Sequence, residues 1–357
     1  MESTKERQFS KLLMLWNTEK NRRFMPWKGE KDPYKIWLSE IILQQTRVEQ
    51  GLAYYNRFVK HFPTIRQLAA AEDTVVFKLW EGLGYYSRCR NLIATARHIV
   101  NELDGIFPSS YESILRLKGI GPYTAAAIAS FAFNLPYAVV DGNVMRVLAR
   151  YFGLRQSISN SAGKFFYSTL ANRLLAGNNP AIFNQAIMDF GATVCKPQLP
   201  LCSGCSMKKH CTAFKNKLTD SLPVKELKPE KKQRWFYYAV IEYKGAIYIH
   251  KRIQKDIWQN LHEFYLEERD RQSDPDELVT GIMQKLNAGK GSMVTAVSKI
   301  FKQQLTHQTI HGCFIHIRVK KKINIPGFQL YEKSSIGKLA FPRFITGYFE
   351  EASAGFS

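Results

Sequence analysis

Two carboxylates and four thiols are the groups in this chain whose type and setting can do chemistry. Glu40 sits in Ile36-Trp37-Leu38-Ser39-Glu40-Ile41-Ile42-Leu43, an apolar stretch with helical spacing. A carboxyl there either reaches solvent or is buried with its pKa raised, because desolvation penalises the charged form. Buried and protonated, it is a general acid near neutral pH. Asp141 follows the apolar pair Val139-Val140 and precedes a helical pattern. It is either a plain helix N-cap or, with Gly142 and Asn143 beside it, a carboxylate aimed into a cleft. Together the two match what cleavage of a glycosidic bond needs: one carboxyl protonates the leaving group and the other stabilises an oxocarbenium-like sugar. Cys195, Cys202, Cys205 and Cys211 form a C-x6-C-x2-C-x5-C run. Four soft thiolates so close in sequence can wrap one metal centre, and an iron–sulfur cluster suits the spacing. Zinc is the rival, although its four-cysteine modules usually use two short knuckles. Disulfides are a third reading, and nothing else marks the chain as secreted.

A third motif, Leu117-Lys118-Gly119-Ile120-Gly121-Pro122-Tyr123, places two glycines in a turn ahead of a helix start. Such a turn offers backbone N–H groups to an anion, with Lys118 beside them. The chain has 357 residues, 45% hydrophobic, and a formal net charge of +21. The length fits two domains with real cores, and the charge points to a polyanion as partner. A membrane partner is not expected: no amphipathic helix carries a one-sided basic stripe, and the apolar stretch 125–140 is broken by Asn134 and Pro136. The N-terminal residues lack the apolar core of a secretory signal, so a reducing, cytoplasmic and nucleoid-associated setting is expected. Cys89 and Cys313 read as small buried apolar residues.

Helical patterns must position these groups. Asp32-Pro33 opens one, with Asp as cap and Pro in the first turn. Others run over 73–80, 87–103, 110–117, 122–133, 143–151, 162–175 and 180–190. Residues 1–214 therefore read as a helical domain. The Lys-, Pro- and Glu-rich stretch 215–234 reads as a linker, and 235–357 as a smaller α+β domain with strands over 235–243, 246–251 and 309–319 and a helix over 275–286.

These motifs, in this order, resemble the A/G-specific adenine DNA glycosylase (MutY) family within the helix–hairpin–helix DNA glycosylase superfamily. The resemblance rests on Pro26-Trp27, Trp37-Leu38-Ser39-Glu40 through Leu43-Gln44-Gln45-Thr46, Gly82-Leu83-Gly84-Tyr85-Tyr86, the glycine turn, Val140-Asp141-Gly142-Asn143, Phe183-Asn184-Gln185-Ala186 and the cysteine run. It implies a helix–hairpin–helix glycosylase domain with a [4Fe–4S] loop held by Cys195, Cys202, Cys205 and Cys211, then a Nudix-like domain. It implies that Glu40 protonates N7 of a flipped-out adenine, that Asp141 stabilises the cationic sugar, and that Asn143 and Tyr123 flank the chemistry. Arg23, Trp27, Leu43 and Gln185 fall where the family lines its adenine pocket, and Gln45 and Tyr85 resemble its stack-wedging residues. Core packing is the plainer role for Trp27 and Tyr85, and the preferred one for Tyr86. Lys118, Gly119 and Gly121 would hold a DNA phosphate. The implied partner is double-stranded DNA with adenine opposite 8-oxoguanine or guanine, bound by a monomer.

Tyr123 separates two reactions. The related endonuclease III type carries a Lys at this place, whose amine forms a Schiff base and cuts the strand, whereas tyrosine cannot form an imine. A monofunctional glycosylase is expected rather than a lyase on oxidised pyrimidines. A silent DNA-binding protein would need neither carboxylate. In the second domain Leu305-Thr306-His307 stands where the family has Phe-Ser-His to recognise 8-oxoguanine; Thr306 keeps the hydroxyl and Leu305 gives up the ring. The metal-binding helix of hydrolytic Nudix enzymes is absent, and Glu267-Glu268 does not rebuild it, so binding rather than nucleotide hydrolysis is expected. His307, His311 and His316 lack a carboxylate or Cys pattern and read as ordinary strand or loop residues.

Overall fold

A computed structural model describes residues 3–226, 230–289 and 291–354. The chain divides into two compact units, Met1–Ala70 with Ala94–Lys228, and Ala71–Ile93 with Pro229–Ser357. Residues 71–93, which the sequence patterns group with the helical domain, thus pack with the second unit.

The helices are α1 (Thr4–Glu19), α2 (Pro33–Leu43), α3 (Val48–His61), α4 (Ile65–Ala70), α5 (Asp73–Trp80), α6 (Tyr86–Glu102), α7 (Tyr111–Leu115), α8 (Pro122–Phe133), α9 (Gly142–Phe152), α10 (Ser161–Leu175), α11 (Pro180–Thr193) and α12 (Thr212–Lys215). Helices α2, α8 and α11 each begin with Pro in the first turn, where its missing N–H costs no bond. Asp32 caps α2 by accepting from the Tyr34 N–H at 2.9 Å, the opening read from the sequence. Eight of the eleven residues of α2 are buried, Glu40 among them, so this helix has no solvent face to which a carboxyl could escape. It packs on α8, whose Ala125, Ala126, Ala127 and Ala129 allow close approach. Helix α9 packs on α11 at Gly191, where an added Cβ would lie 2.8 Å from Asn143 Cβ. The core behind them joins Phe9, Leu13 and Trp16 of α1 to Val144, Leu148, Leu174 and Phe190.

The stretch read as a linker is not free chain up to residue 226. Leu222 is buried, the Ile158 N–H donates to the Val224 carbonyl at 3.1 Å, and Asn160 Nδ2 donates to Glu226 at 2.6 Å. Residues 227–229 of that stretch lie outside the described residues.

The second unit is built on a mixed eight-stranded sheet of β1 (Lys232–Tyr243), β2 (Ala246–Lys251), β3 (His262–Glu263), β4 (Tyr265–Arg269), β5 (Met293–Val297), β6 (Phe301–Gln304), β7 (Gln308–Arg318) and β8 (Phe328–Glu332). Central β1 runs parallel to β7 from Lys232↔Gln308 to Glu242↔Arg318 and antiparallel to β2 and β4. Alternation splits its residues between two faces. Tyr237, Ala239 and Ile241 meet Leu278 and Ile282 of α13 (Pro275–Lys285). After a short α14 (Lys333–Ile336), α15 (Arg343–Ala354) places Phe344 against Tyr238 and Phe314 of the sheet. This is the α+β architecture read from the sequence, with five more strands than the patterns named.

Candidate active site

A cavity of about 550 Å³ opens in the helical unit, within the size range of small-molecule sites. Glu40 from α2, Tyr123 from α8, Asp141 and Asn143 from the start of α9, and Gln185 from α11 all line it. The 21–31 loop adds Arg23, Trp27 and Lys28, and α2 ends on it with Leu43. Eight residues that the sequence singled out are therefore brought to one wall.

Burial pushes the Glu40 carboxyl up to about 7, and the nearby Asp141 adds to the rise. The Tyr123 hydroxyl donates to the Glu40 carboxyl and is itself held well above its usual pKa by the loss of solvent and by both carboxylates. Glu40 is thus a carboxyl that exchanges its proton near neutral pH, with no cation paired to it among the described ion pairs.

Asp141 satisfies both readings offered by the sequence. One oxygen caps α9 by accepting from the Val144 N–H at 2.8 Å, while the other accepts from Asn143 Nδ2 at 2.6 Å. Burial raises its pKa, and those donors together with Arg146 oppose the rise. A cap that is only half exposed can face a ligand as well as a helix. Asn143 is held in turn by Arg146, whose guanidinium donates to Asn143 Oδ1 at 2.8 Å, to the Gly191 carbonyl at 2.7 Å and to the Cys195 carbonyl at 2.8 Å.

Trp27 meets Tyr55 edge-on at 5.3 Å while facing the cavity, so packing and lining coexist there too. Two residues escaped sequence reading. Asp189 is fully buried behind the cavity wall and accepts from Arg23 and Lys28 at 3.0 Å each. Lys28 lines the cavity beside it. Their signal was present: an acid four residues after Gln185 on α11, and a third basic residue in Arg22-Arg23-Phe24-Met25-Pro26-Trp27-Lys28. Gln45, by contrast, is not on the cavity; it is exposed at φ +57°, directly after α2.

The four cysteines follow α11 and line a second, small cavity with Val147, Phe190, Met207 and Phe214. None of the four is in a disulfide. Burial and neighbouring sulfurs push Cys205 up to about 11 and raise Cys202 and Cys211. Arg150 lies against this knot, donating to Cys195 Sγ at 3.5 Å and to the Lys196 carbonyl at 2.6 Å. Among the described residues no three acidic, His or Cys side chains converge as they would around a single metal ion.

In the glycine turn Lys118, Gly119 and Gly121 are exposed and Ile120 is buried. Gly119 needs its φ of +79°. Gly121 has an ordinary extended φ of −98°, and a Cβ there would touch no protein atom within 4 Å. Neither backbone strain nor packing asks for glycine at 121, which leaves room for something other than protein.

In the second unit Tyr85, at φ +48° and 42% exposed, hydrogen-bonds through its hydroxyl to Thr306 in the β6–β7 loop. The Arg88 guanidinium lies over both the Tyr85 and Trp80 rings. His307 is exposed, and its carbonyl accepts from the Lys232 N–H at 3.1 Å. Tyr86 is buried and stacks with Phe77, a core role. Glu267 pairs with Lys285 and Arg269, and Glu268 with Arg234. His311 stacks on Trp235, and His316 bonds Tyr348. No helix among the described residues is long and apolar enough to cross a membrane.

Residues 38–165 match the family described as HhH-GPD superfamily base excision DNA repair protein, and residues 237–351 match the NUDIX domain. The chain is 36% identical over 322 residues to the adenine DNA glycosylase of Buchnera aphidicola subsp. Baizongia pistaciae, covering 88% of this chain and 87% of that one. It is 42% identical over 214 residues to the adenine DNA glycosylase of Mus musculus, covering 57% and 41%. Among solved structures, a thermostable thymine-DNA glycosylase aligns at a TM-score of 0.55 with 31% identity, over 59% of this chain and 97% of that one. An endonuclease III–DNA complex aligns at 0.52 with 19% identity, over 60% and 98%, a likeness of fold.

Proposed function

The chain belongs to the adenine DNA glycosylase family, and we propose that it removes adenine mispaired with 8-oxoguanine or guanine in DNA by hydrolysing the N-glycosidic bond, without cutting the strand. The observation that carries this reading is the Glu40–Tyr123–Asp141 group: a carboxyl poised near pH 7 in a base-sized cavity, with a second carboxylate held by N–H donors beside it. Inside a stacked duplex the adenine cannot reach such a cavity, so the base must be flipped out. Glu40 then gives its proton to the base, weakening its bond to the sugar, and Asp141 stabilises the positive charge that develops on the sugar. Asn143 holds the Asp141 carboxylate in place.

A strand-cutting lyase would need an amine as nucleophile. Tyr123 offers none. Lys28 on the cavity wall is paired with Asp189, and Lys31 donates to the Phe131 carbonyl at 2.9 Å. The exposed turn at Lys118, Gly119 and Gly121 suits a DNA phosphate, since Gly121 leaves its N–H open to close approach. Tyr85 and Thr306, joined by a hydrogen bond, would meet the base opposite the flipped adenine, with His307 alongside. Gln45 fits a wedge because its exposed side chain projects from a left-handed backbone position.

Cys195, Cys202, Cys205 and Cys211 would hold a [4Fe–4S] cluster. Four thiols around one small apolar cavity fit that donor set, and their C-x6-C-x2-C-x5-C spacing suits a cluster better than the short knuckles of a zinc site. Bound there, the cluster would supply a covalent tie for the loop after α11, its iron stabilising the thiolate forms that burial disfavours.

The test is excision from duplexes with adenine opposite 8-oxoguanine, guanine or thymine, abasic sites being revealed by alkali. Cleavage confined to the first two is expected. Equal attack on the A·T duplex, none on any, or strong borohydride-trapped adduct at this site would overturn the reading.

A further inference from the structure

We propose that Asp189, which never reaches the cavity, sets the choice of base by locking the Gln185 amide so that its oxygen faces the pocket, making the site accept a 6-amino purine and refuse a 6-oxo purine. The inference rests on the glycosylase reading above and deepens it.

Gln185 and Asp189 lie four residues apart on α11 and so share one helix face. The Asp189 side chain is fully buried and carries an ion pair at 3.0 Å from each of Arg23 and Lys28. Set between two cations and met by a donor at each contact, this carboxylate only accepts. Its Oδ1 takes Arg23 and, at 2.9 Å, Gln185 Nε2; its Oδ2 takes Lys28 and, at 2.9 Å, Asn21 Nδ2. Turning the Gln185 amide over would set its oxygen against Oδ1, acceptor against acceptor at a fully buried carboxylate. The amide nitrogen is therefore committed to Asp189, and none of the described residues donates to Gln185 Oε1.

Gln185 lines the cavity while Asp189 stands behind it, so the amide end left for a ligand is an acceptor. The 6-amino group of adenine donates to that oxygen. Guanine and hypoxanthine present a carbonyl there and would meet it oxygen to oxygen. A buried polar group left unpaired or opposed is what gives a site strong discrimination. The same carboxylate holds Arg23 and Lys28 against the wall, so one hidden acid fixes three cavity residues.

The experiment uses the full chain and single-turnover excision of adenine, hypoxanthine and unsubstituted purine, each opposite 8-oxoguanine. Purine carries neither group at position 6 and reports any general loss of the site. Wild type should prefer adenine to hypoxanthine, and Asp189→Asn should narrow that ratio by about tenfold or more, beyond the change seen with purine. Gln185→Met, which keeps the buried ion pairs, should narrow it too. The double exchange Asp189→Asn with Gln185→Glu should restore it, because the amide would then donate to a carboxylate whose free oxygen faces the pocket. Parallel loss on adenine and hypoxanthine in Gln185→Met, or failure of the double exchange to recover the ratio, overturns the inference. Should Asp189→Asn not fold by itself, the double exchange decides: recovery of the ratio supports the lock, and its absence overturns it. A wild type that releases no adenine would instead overturn the underlying reading.

Discussion

Glu40 in the helical unit and Asp256 in the sheet unit both lose solvent, with opposite outcomes. In the helical unit Glu40 is buried with a tyrosine and another carboxylate for company, and its pKa rises to about 7. In the sheet unit Asp256 is also pushed upward by burial, yet Arg234 and Arg252 bring it down to about 2. There Arg234 bonds Asp256 and Glu268 through two donors each, and Arg252 bonds Glu263 and Asp256. The difference lies in the partner, because an unpaired buried carboxyl keeps its proton and can give it away, whereas a paired one is a fixed charge that ties strands and loops together. One region spends stability on chemistry, and the other uses charge to hold the Arg252–Leu261 loop against β1 and β4.

Breaking the first arrangement should have the largest effect. Glu40→Gln should lower the single-turnover excision rate by about 10³-fold or more while leaving affinity for the mispaired duplex nearly unchanged, as measured by quench-flow and by titration. The same variant should be the more stable protein in alkali. A carboxyl whose folded pKa is about 7, raised above the usual 4.5, stabilises the fold below the lower value and loses that contribution as pH rises through the higher one. Denaturation should therefore show Glu40→Gln gaining on wild type between pH 5 and pH 8, by about 2–3 kcal/mol at most. A gap that does not grow with pH would mean that Glu40 is not the buried carboxyl described. Wild-type excision should fall across the same range as the proton is lost.

Breaking the second arrangement should cost stability and not chemistry. Arg252→Met leaves Glu263 without its cation, while Asp256 keeps Arg234, and should destabilise the sheet unit by about 3–5 kcal/mol in chemical denaturation. Removing adenine from a duplex without 8-oxoguanine should proceed at close to its usual rate under conditions where the chain is folded. The smallest effect is expected from Thr306→Val, which removes the partner of the Tyr85 hydroxyl at an exposed site. About 1 kcal/mol, or several-fold, should be lost from the preference for 8-oxoguanine over guanine opposite adenine, read from competition binding. An unchanged preference would separate this hydrogen bond from reading of the opposite base.

Much of the cavity wall was legible before any fold was known. Glu40 stood out because a charge inside α2 conflicts with everything around it, and Asp141 because an acid between an apolar run and a helix has few roles. The helix starts at Asp32-Pro33 and Pro122 carry their own chemistry in the cap and first turn. Less legible were β4, β5, β6 and β8. Met293–Val297 is exposed at every position, so no alternation marks it as a strand, and only pairing with β7 makes it one. Asp189 was hidden for a similar reason: one acid on a helix looks like a solvated residue until Arg23, Lys28 and Asn21 arrive from 160 or more positions away.

The sequence by itself determined the kinds of group present and their local setting: a carboxyl among apolar neighbours, a Tyr where an amine would be needed for strand cutting, and four thiols within one loop. Such features survive because they depend on residues a few positions apart, whose geometry the backbone enforces. Tertiary structure alone decided which of them share a cavity, that 71–93 pack with the sheet unit so that Tyr85 meets Thr306, and which end of the Gln185 amide is free. Those outcomes depend on burial and on partners distant in sequence. Removing water is what raises the Glu40 carboxyl and commits Asp189 to partners from distant segments, and no stretch of chain excludes water alone.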